Sequence, residues 1–194
     1  MRVLVLYAHP LPDSFNAAVH RTAIESLTAA GHEVDDLDLY AENFQPVLSA
    51  EERRHYHDLG RNRAPVASYV DRLQRAEAVV FVFPTWSFGL PAILKGWFDR
   101  VLIPGVSFTL GDDGIARPAL KNVRRIVGVS TYGRPWWHVR LIVGDLPRRQ
   151  ITGYFRSLGG GAPASYLALY DMNRATAQQR ERFLNRVRLA MARL

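Results

Sequence analysis

Three short stretches of this chain carry residue types that could do chemistry together. They are His9-Pro10-Leu11-Pro12-Asp13-Ser14-Phe15-Asn16, Pro84-Thr85-Trp86-Ser87-Phe88-Gly89-Leu90, and Ser130-Thr131-Tyr132-Gly133-Arg134-Pro135-Trp136-Trp137-His138. The first places imidazole, hydroxyl and amide groups just before an apolar periodic stretch. Backbone N–H groups at such a helix start favour an anion, and His9, Ser14 and Asn16 can add donors. Neither G-x-G-x-x-G nor G-x-x-x-x-G-K-[ST] is present, so the anion hypothesis rests on those side chains alone. Taken without the rest of the chain, Ser14 reads simply as a helix cap. The second stretch presents two large aromatics, Trp86 and Phe88, which suit a flat, partly apolar ligand better than a bare sugar or phosphate. They lie beyond a strand end, in a loop, where core packing is less expected.

The elements that must position these stretches follow from the patterning. Val79-Val80-Phe81-Val82-Phe83 has no polar alternation and reads as a strand buried on both faces. Pro84 cannot donate to a ladder and stops it. Pro91 suits the first turn of a helix that continues from Ala92 to Val101. Val3 to Ala8 is the first strand. Asp13 or Ser14 caps a helix whose apolar positions are Phe15, Ala18, Val19, Thr22, Ala23 and Leu27, and Gly31 ends it. A second strand covers Glu33 to Leu39. Tyr40 to Arg63 reads as polar and irregular, and Ala64 to Ala76 as a short helix with Val66, Tyr69, Val70 and Leu73 inward. Gly111-Asp112-Asp113-Gly114 marks a tight turn in a small excursion. Arg124 to Ser130 is the fourth strand, and Val139 to Leu158 is mostly helical, broken by Gly144 and Pro147. Ala164 to Tyr170 is the fifth strand, and Ala175 to Leu194 closes the chain as a helix with Phe183, Leu184, Val187 and Met191 on its apolar face. This alternation predicts an α/β, doubly wound five-stranded parallel sheet with helices on both faces. Right-handed crossovers bring the loops after the first, third and fourth strands to one edge. In the order 2-1-3-4-5 those strands are neighbours and the switch point lies between the first and third.

With 194 residues, 48% of them hydrophobic, residues 1–194 are expected to form a single domain. The formal charge is +7, nearly all of it arginine, with Lys95 and Lys121 the only lysines. The arginines are scattered rather than clustered, so nucleic acid is not expected and phosphorylated small molecules account for the charge. The absence of cysteine excludes disulfides, thiolate catalysis and zinc–thiolate sites. His55 and His57 stand two apart and do not share a helix face, so no metal site is expected there. The opening apolar run is too short to span a membrane and lacks a small-residue cleavage site. A soluble, cytoplasmic protein is expected.

The three stretches together resemble the flavodoxin-like NAD(P)H:quinone oxidoreductase family, which also contains flavin-binding ancillary subunits of potassium efflux systems. The matching pieces are His9-Pro10 with Ser14-Phe15-Asn16, then Pro84 to Ala92 with Leu94 to Val101, then Ser130-Thr131-Tyr132-Gly133. The resemblance implies a flavodoxin-like fold and a flavin held non-covalently, usually in a homodimer whose interface helps build the site. By the same resemblance His9, Ser14 and Asn16 would hold the flavin phosphate, with Phe15 against the ribityl chain. Pro84, Thr85, Trp86, Ser87 and Phe88 would line the ribityl and isoalloxazine, and Thr131 and Gly133 would approach the pyrimidine end. The implied activity is transfer of two electrons, as hydride, from NAD(P)H through flavin N5 to a quinone or similar acceptor, with ping-pong kinetics. The alternative role is a regulatory subunit docked on a potassium antiporter. The tyrosine and histidine that assist charge relay in the mammalian members correspond to positions near His138 and Gly144. His138 takes the first role, the second has no counterpart, and Tyr132 is a nearby substitute with an acidic hydroxyl. FMN is favoured over FAD because the chain is short and shows no second nucleotide pocket. Arg117, Arg134 and Arg140 are candidates for a 2′-phosphate.

Overall fold

The structure is a computed structural model and describes residues 1–194. Its centre is a parallel sheet built from β1 (Arg2–Tyr7), β2 (Glu33–Asp38), β3 (Ala78–Pro84), and, after a small antiparallel hairpin of β4 (Phe108–Leu110) and β5 (Ala116–Pro118), β6 (Arg125–Thr131) and β7 (Ala164–Leu169). The sheet order is β2-β1-β3-β6-β7 with every neighbouring pair parallel. The expected order and the Gly111–Gly114 excursion are both present.

Every residue of β3 is buried, as its unbroken apolar run requires. Val79, Phe81 and Phe83 point into one layer and Ala78, Val80 and Val82 into the other. The second layer is covered by α1 (Phe15–Ala29) and by the final helix of the chain, whose Phe183, Val187 and Met191 pack beside Val19, Ala23 and Leu27. The first layer is larger. It takes α2 (Ala50–Arg54) at its periphery, then α3 (Ala67–Arg75) through Val70 and Leu73, and α4 (Ala92–Val101) through Leu94, Trp97, Phe98 and Val101. Ile151, Phe155 and Leu158 complete it, from a segment comprising α5 (Leu146–Arg149), a π-helical stretch Gln150–Phe155 and α6 (Arg156–Leu158). The final helix is α7 (Ala177–Met191), started by a Thr176/Gln179 capping box.

Three local expectations change. The 40–63 segment is not wholly irregular, because Ser49 and Glu52 form a reciprocal capping box that starts α2. In α1 the fully buried positions at the start are Asn16 and Ala17, while Phe15 packs half-buried against the core and Ala18 is only half-buried. Ser14 is the cap, so the sheet-facing stripe begins two residues after it. Between β6 and β7 the backbone is π-helical at His138–Val143 and at Gln150–Phe155, a distortion that apolar spacing does not signal. No helix is long and apolar enough to cross a membrane.

Candidate functional site

The parallel register brings the carboxyl ends of the central strands to a common edge, with Tyr7 beside Val82 and Pro84 beside Thr131. Backbone bonds stitch the departing loops together there: Ala8 N–H to Val82 O at 3.1 Å, Thr85 N–H to Thr131 O at 2.9 Å, and Tyr132 N–H to Leu169 O at 2.8 Å. The three stretches singled out by chemistry therefore meet at the switch point of the sheet, where open α/β folds bind ligands.

In the first loop, Ser14 Oγ accepts from Ala17 N–H at 3.1 Å and donates to Leu11 O at 2.9 Å, so its side chain is committed to capping α1. Asn16 is buried and donates from Nδ2 to Thr131 Oγ1 at 2.8 Å, while its Oδ1 has no partner. These side chains, expected as anion donors, are engaged inside the protein. What remains free at the start of α1 are the backbone N–H groups of Phe15 and Asn16, which find no acceptor in the chain. They carry the positive end of a 15-residue helix. Burial lowers the pKa of His9, whose Nδ1 accepts from Leu11 N–H at 3.1 Å. Its ring lies 5.8 Å from that of Trp86, which joins the first loop to the second. The Phe15 ring packs on Phe183 at 6.3 Å, with the Arg180 guanidinium over it at 5.9 Å.

The second loop is a tight turn closed by Gly89 N–H to Trp86 O at 2.9 Å. Ser87 and Phe88 both adopt positive φ, 49° and 59°. This is the mirror-image turn that normally selects Asn and Gly, and it costs about 1 kcal/mol for each residue with a Cβ. Strain of this kind persists where the surroundings over-determine it, commonly at ligand sites. Trp86 and Gly89 form an antiparallel bridge, while the N–H groups of Ser87 and Phe88 have no acceptor in the chain. Thr85 Oγ1 pairs with Ser130 Oγ at 3.1 Å. Trp86 is 42% exposed. Phe88 stacks on His138, centroids 5.5 Å apart at 26°.

The third loop corrects one assignment. Tyr132 is buried, its hydroxyl donates to Asp145 Oδ1 at 2.7 Å and meets Tyr166 Oη at 2.7 Å, and its ring stacks on Tyr170 at 4.8 Å. Burial, reinforced by the neighbouring phenol and carboxylate, drives its pKa far above the tyrosine range, so the hydroxyl is not acidic. His138 fares differently: it lies between Phe88 and the edge of Trp137, and its Nδ1 is buried without a partner. Gly133 supplies another unpaired N–H, and a Cβ there would come within 3.2 Å of Asn173 Nδ2. Arg117 is bound to Asp113 at 2.6 Å within the hairpin, while Arg134 and Arg140 form no ion pair. Asp145, Tyr166 and Tyr170 were not singled out by sequence. Gly144 marked only a break in the helical stretch beside Asp145, and nothing local marked the two tyrosines.

The raised Tyr132 pKa has a consequence for stability. Below about pH 10 the phenol is neutral folded and unfolded alike; above it only the unfolded state ionises, so stability falls by about 1.4 kcal/mol per pH unit for this group. Other tyrosines held above their ordinary value add to the slope, so in urea denaturation between pH 10 and pH 11 Tyr132→Phe should make it shallower by about 1.4 kcal/mol per pH unit without abolishing it. An identical slope in the variant would refute the assignment.

Comparison with known proteins adds independent information. The profile described as flavodoxin-like fold matches residues 1–187. The ribosyldihydronicotinamide dehydrogenase [quinone] of Pongo abelii is 38% identical over 151 residues, covering 68% of this chain and 64% of that protein. The chain thus spans less than two thirds of the length of that curated relative. Among solved structures, the NAD(P)H:quinone oxidoreductase from Methanothermobacter marburgensis superposes with a TM-score of 0.85 at 28% identity, covering 99% of this chain and 98% of that one. An FMN-dependent NADH-azoreductase from Bacillus anthracis, solved in complex with FMN, shares the fold with a TM-score of 0.81 at 18% identity, covering 99% of this chain and 98% of that one. From its sheet order, its switch-point loops and the match over nearly its whole length, the chain belongs to the flavodoxin-like fold family.

Proposed function

We propose that this chain is a flavin-dependent NAD(P)H oxidoreductase acting on a quinone or a similar acceptor. The observation that carries the proposal is the convergence at one sheet edge of unpaired N–H groups from Phe15 and Asn16, from Ser87 and Phe88, and from Gly133, beside the exposed face of Trp86. That donor set fits a flavin, whose anionic tail, polar ring edge and flat aromatic face need these three kinds of partner. The relatives named for NAD(P)H or ribosyldihydronicotinamide and quinone support the same chemistry. FMN is the proposed form, since the fold accepts it in the azoreductase and the first loop offers a phosphate-sized group of donors.

When bound, the flavin would supply two-electron transfer between nicotinamide and acceptor. The protein's own contributions are separable. The start of α1 holds the anion. Thr85, fixed to Ser130, and the strained turn after it orient the ring-edge donors. Trp86 and Phe88 exclude water from the faces they cover. His138, with its unpartnered Nδ1 beside Phe88, is placed to hold a proton for the acceptor. Trp136, Trp137, Leu141 and Ile142 are exposed in the segment that carries His138, and a homodimer contact there is part of the proposal.

The test is direct. Purified protein loaded with FMN should oxidise NADH or NADPH in the presence of a simple quinone, with parallel double-reciprocal lines for donor and acceptor. Protein that takes up neither FMN nor FAD, or that holds flavin yet never reduces a quinone, would end this assignment.

A further inference from the structure

Residues 134–146 continue the third loop, touch the second at His138 and Phe88, and end on a buried carboxylate, Asp145. Asp145 is 5% exposed. Both of its oxygens are met by phenols rather than by a cation: Tyr132 donates to Oδ1 at 2.7 Å and Tyr170 to Oδ2 at 3.3 Å. Tyr166 in turn donates to Tyr132 at 2.7 Å, so phenols from the third loop, from β7 and from just beyond β7 form one network on Asp145. Gly128 in β6 makes room for this arrangement, because a Cβ there would overlap the Tyr166 ring. Asp145 also bears a strained backbone, φ 47°, next to Gly144 at φ 88°. Its N–H closes the π-helical turn on Val139 O at 3.0 Å, and its carbonyl accepts from Arg149 N–H at 3.1 Å as α5 begins. A non-glycine residue in this conformation, with an ionisable group taken out of water, persists only where something else fixes it.

The remainder of the segment has little of its own to hold it. Trp136, Trp137, Leu141, Ile142 and Leu146 are exposed, and Val139 is the one fully buried side chain of the π-helical turn. Yet this turn carries His138, whose ring must stay against Phe88 for the segment to keep its shape. We infer that Asp145 is the positioning residue of the acceptor pocket: through Tyr132 and Tyr170 it pins the His138–Val143 turn against the sheet and so fixes the distance between His138 and the Trp86–Gly89 turn. The inference rests on the proposed oxidoreductase activity for its kinetic part only.

The experiment compares wild type with Asp145→Ala, Asp145→Asn and Tyr132→Phe. The amide of Asp145→Asn can still accept from Tyr132 and so serves as the conservative variant. Trypsin reports the segment directly in flavin-free protein, because Arg140 is exposed within the turn and Arg54, exposed in α2, serves as the internal control. Cleavage after Arg140 should rise by about tenfold in Asp145→Ala, with cleavage after Arg54 unchanged, since proteolysis tracks the population of the locally opened form. In flavin-loaded protein the KM for the quinone should rise by about tenfold with kcat within about twofold, and Asp145→Asn should restore both readouts to near wild type. If Asp145→Ala does not fold, Tyr132→Phe carries the test and should move both readouts in the same direction. Unchanged cleavage at Arg140, or a parallel rise at Arg54, would overturn the inference. Wild-type protein inert towards quinones would instead refute the oxidoreductase assignment and leave the cleavage contrast standing.

Discussion

Gly96→Ala should lower the melting temperature by roughly 5–10 °C, although alanine is the better helix former. In the middle of α4 the substitution gains about 1 kcal/mol of helix propensity. Against that, a Cβ at this position would overlap the carbonyl oxygen, Cα and Cβ of Pro46, which runs across the helix there. The crossing segment cannot retreat. Phe44 is buried beneath it, the Arg100 guanidinium lies over the Phe44 ring at 5.4 Å and binds Gln45 O, and the same guanidinium pairs with Glu52 at 2.6 Å. Arg100 belongs to α4 itself, so moving the segment away from Gly96 breaks contacts made by the helix that pushed it. Overpacking against a restrained backbone costs about 3 kcal/mol at the upper end of its usual range, more than the propensity gain. Thermal unfolding monitored by far-UV circular dichroism measures the outcome; a melting temperature equal to or above wild type would show that the two segments part freely. Because α4 follows directly on the Trp86–Gly89 turn, the same variant should also retain flavin less well at elevated temperature.

What the residues alone disclosed, and what they hid, divides by range. The β3 run, the stop at Pro84 and the end of α1 at Gly31 are short-range facts, and each occurs where local chemistry puts it. The sheet order follows from alternation and handedness, which also placed the three loops on one edge. The overlooked α2 has a different cause: none of its residues is buried, so apolar periodicity is blind to it, and only the Ser49/Glu52 capping box betrays it. The roles of Asn16 and Tyr132 were hidden because their partners are remote. Asn16 meets Thr131, 115 positions away, and Tyr132 meets Tyr166, 34 positions away. A polar side chain near a loop reads equally as a ligand donor or as a buried clamp until its partner is known. The convergence of loops was therefore legible, but the division of labour within it, backbone N–H facing out and side chains tying the loops together, was not.

That division leads to the second large effect. Asn16→Asp should raise the dissociation constant of FMN by about 100-fold with the fold retained at lower stability, since two like charges held close together in a partly desolvated site repel by about 3 kcal/mol. Asn16 is buried, so a carboxylate there costs stability, and two contacts limit the loss. The Thr131 hydroxyl, which now accepts from Asn16 Nδ2, can rotate to donate to a carboxylate placed there. An acidic residue in the first turn of α1 also interacts favourably with the helix dipole. The new charge, however, draws on the same positive helix end that the proposed phosphate needs, and sits beside the free N–H groups of Phe15 and Asn16. Riboflavin, which has the ring system without the phosphate, separates this from a general loosening of the crevice. Its affinity should change by less than about threefold, because the contacts of Trp86, Phe88 and the turn between them are untouched. Quenching of flavin fluorescence on titration gives both constants. If FMN and riboflavin weaken equally, the start of α1 does not hold the anion and the charge acts only through the packing of Asn16 on Thr131.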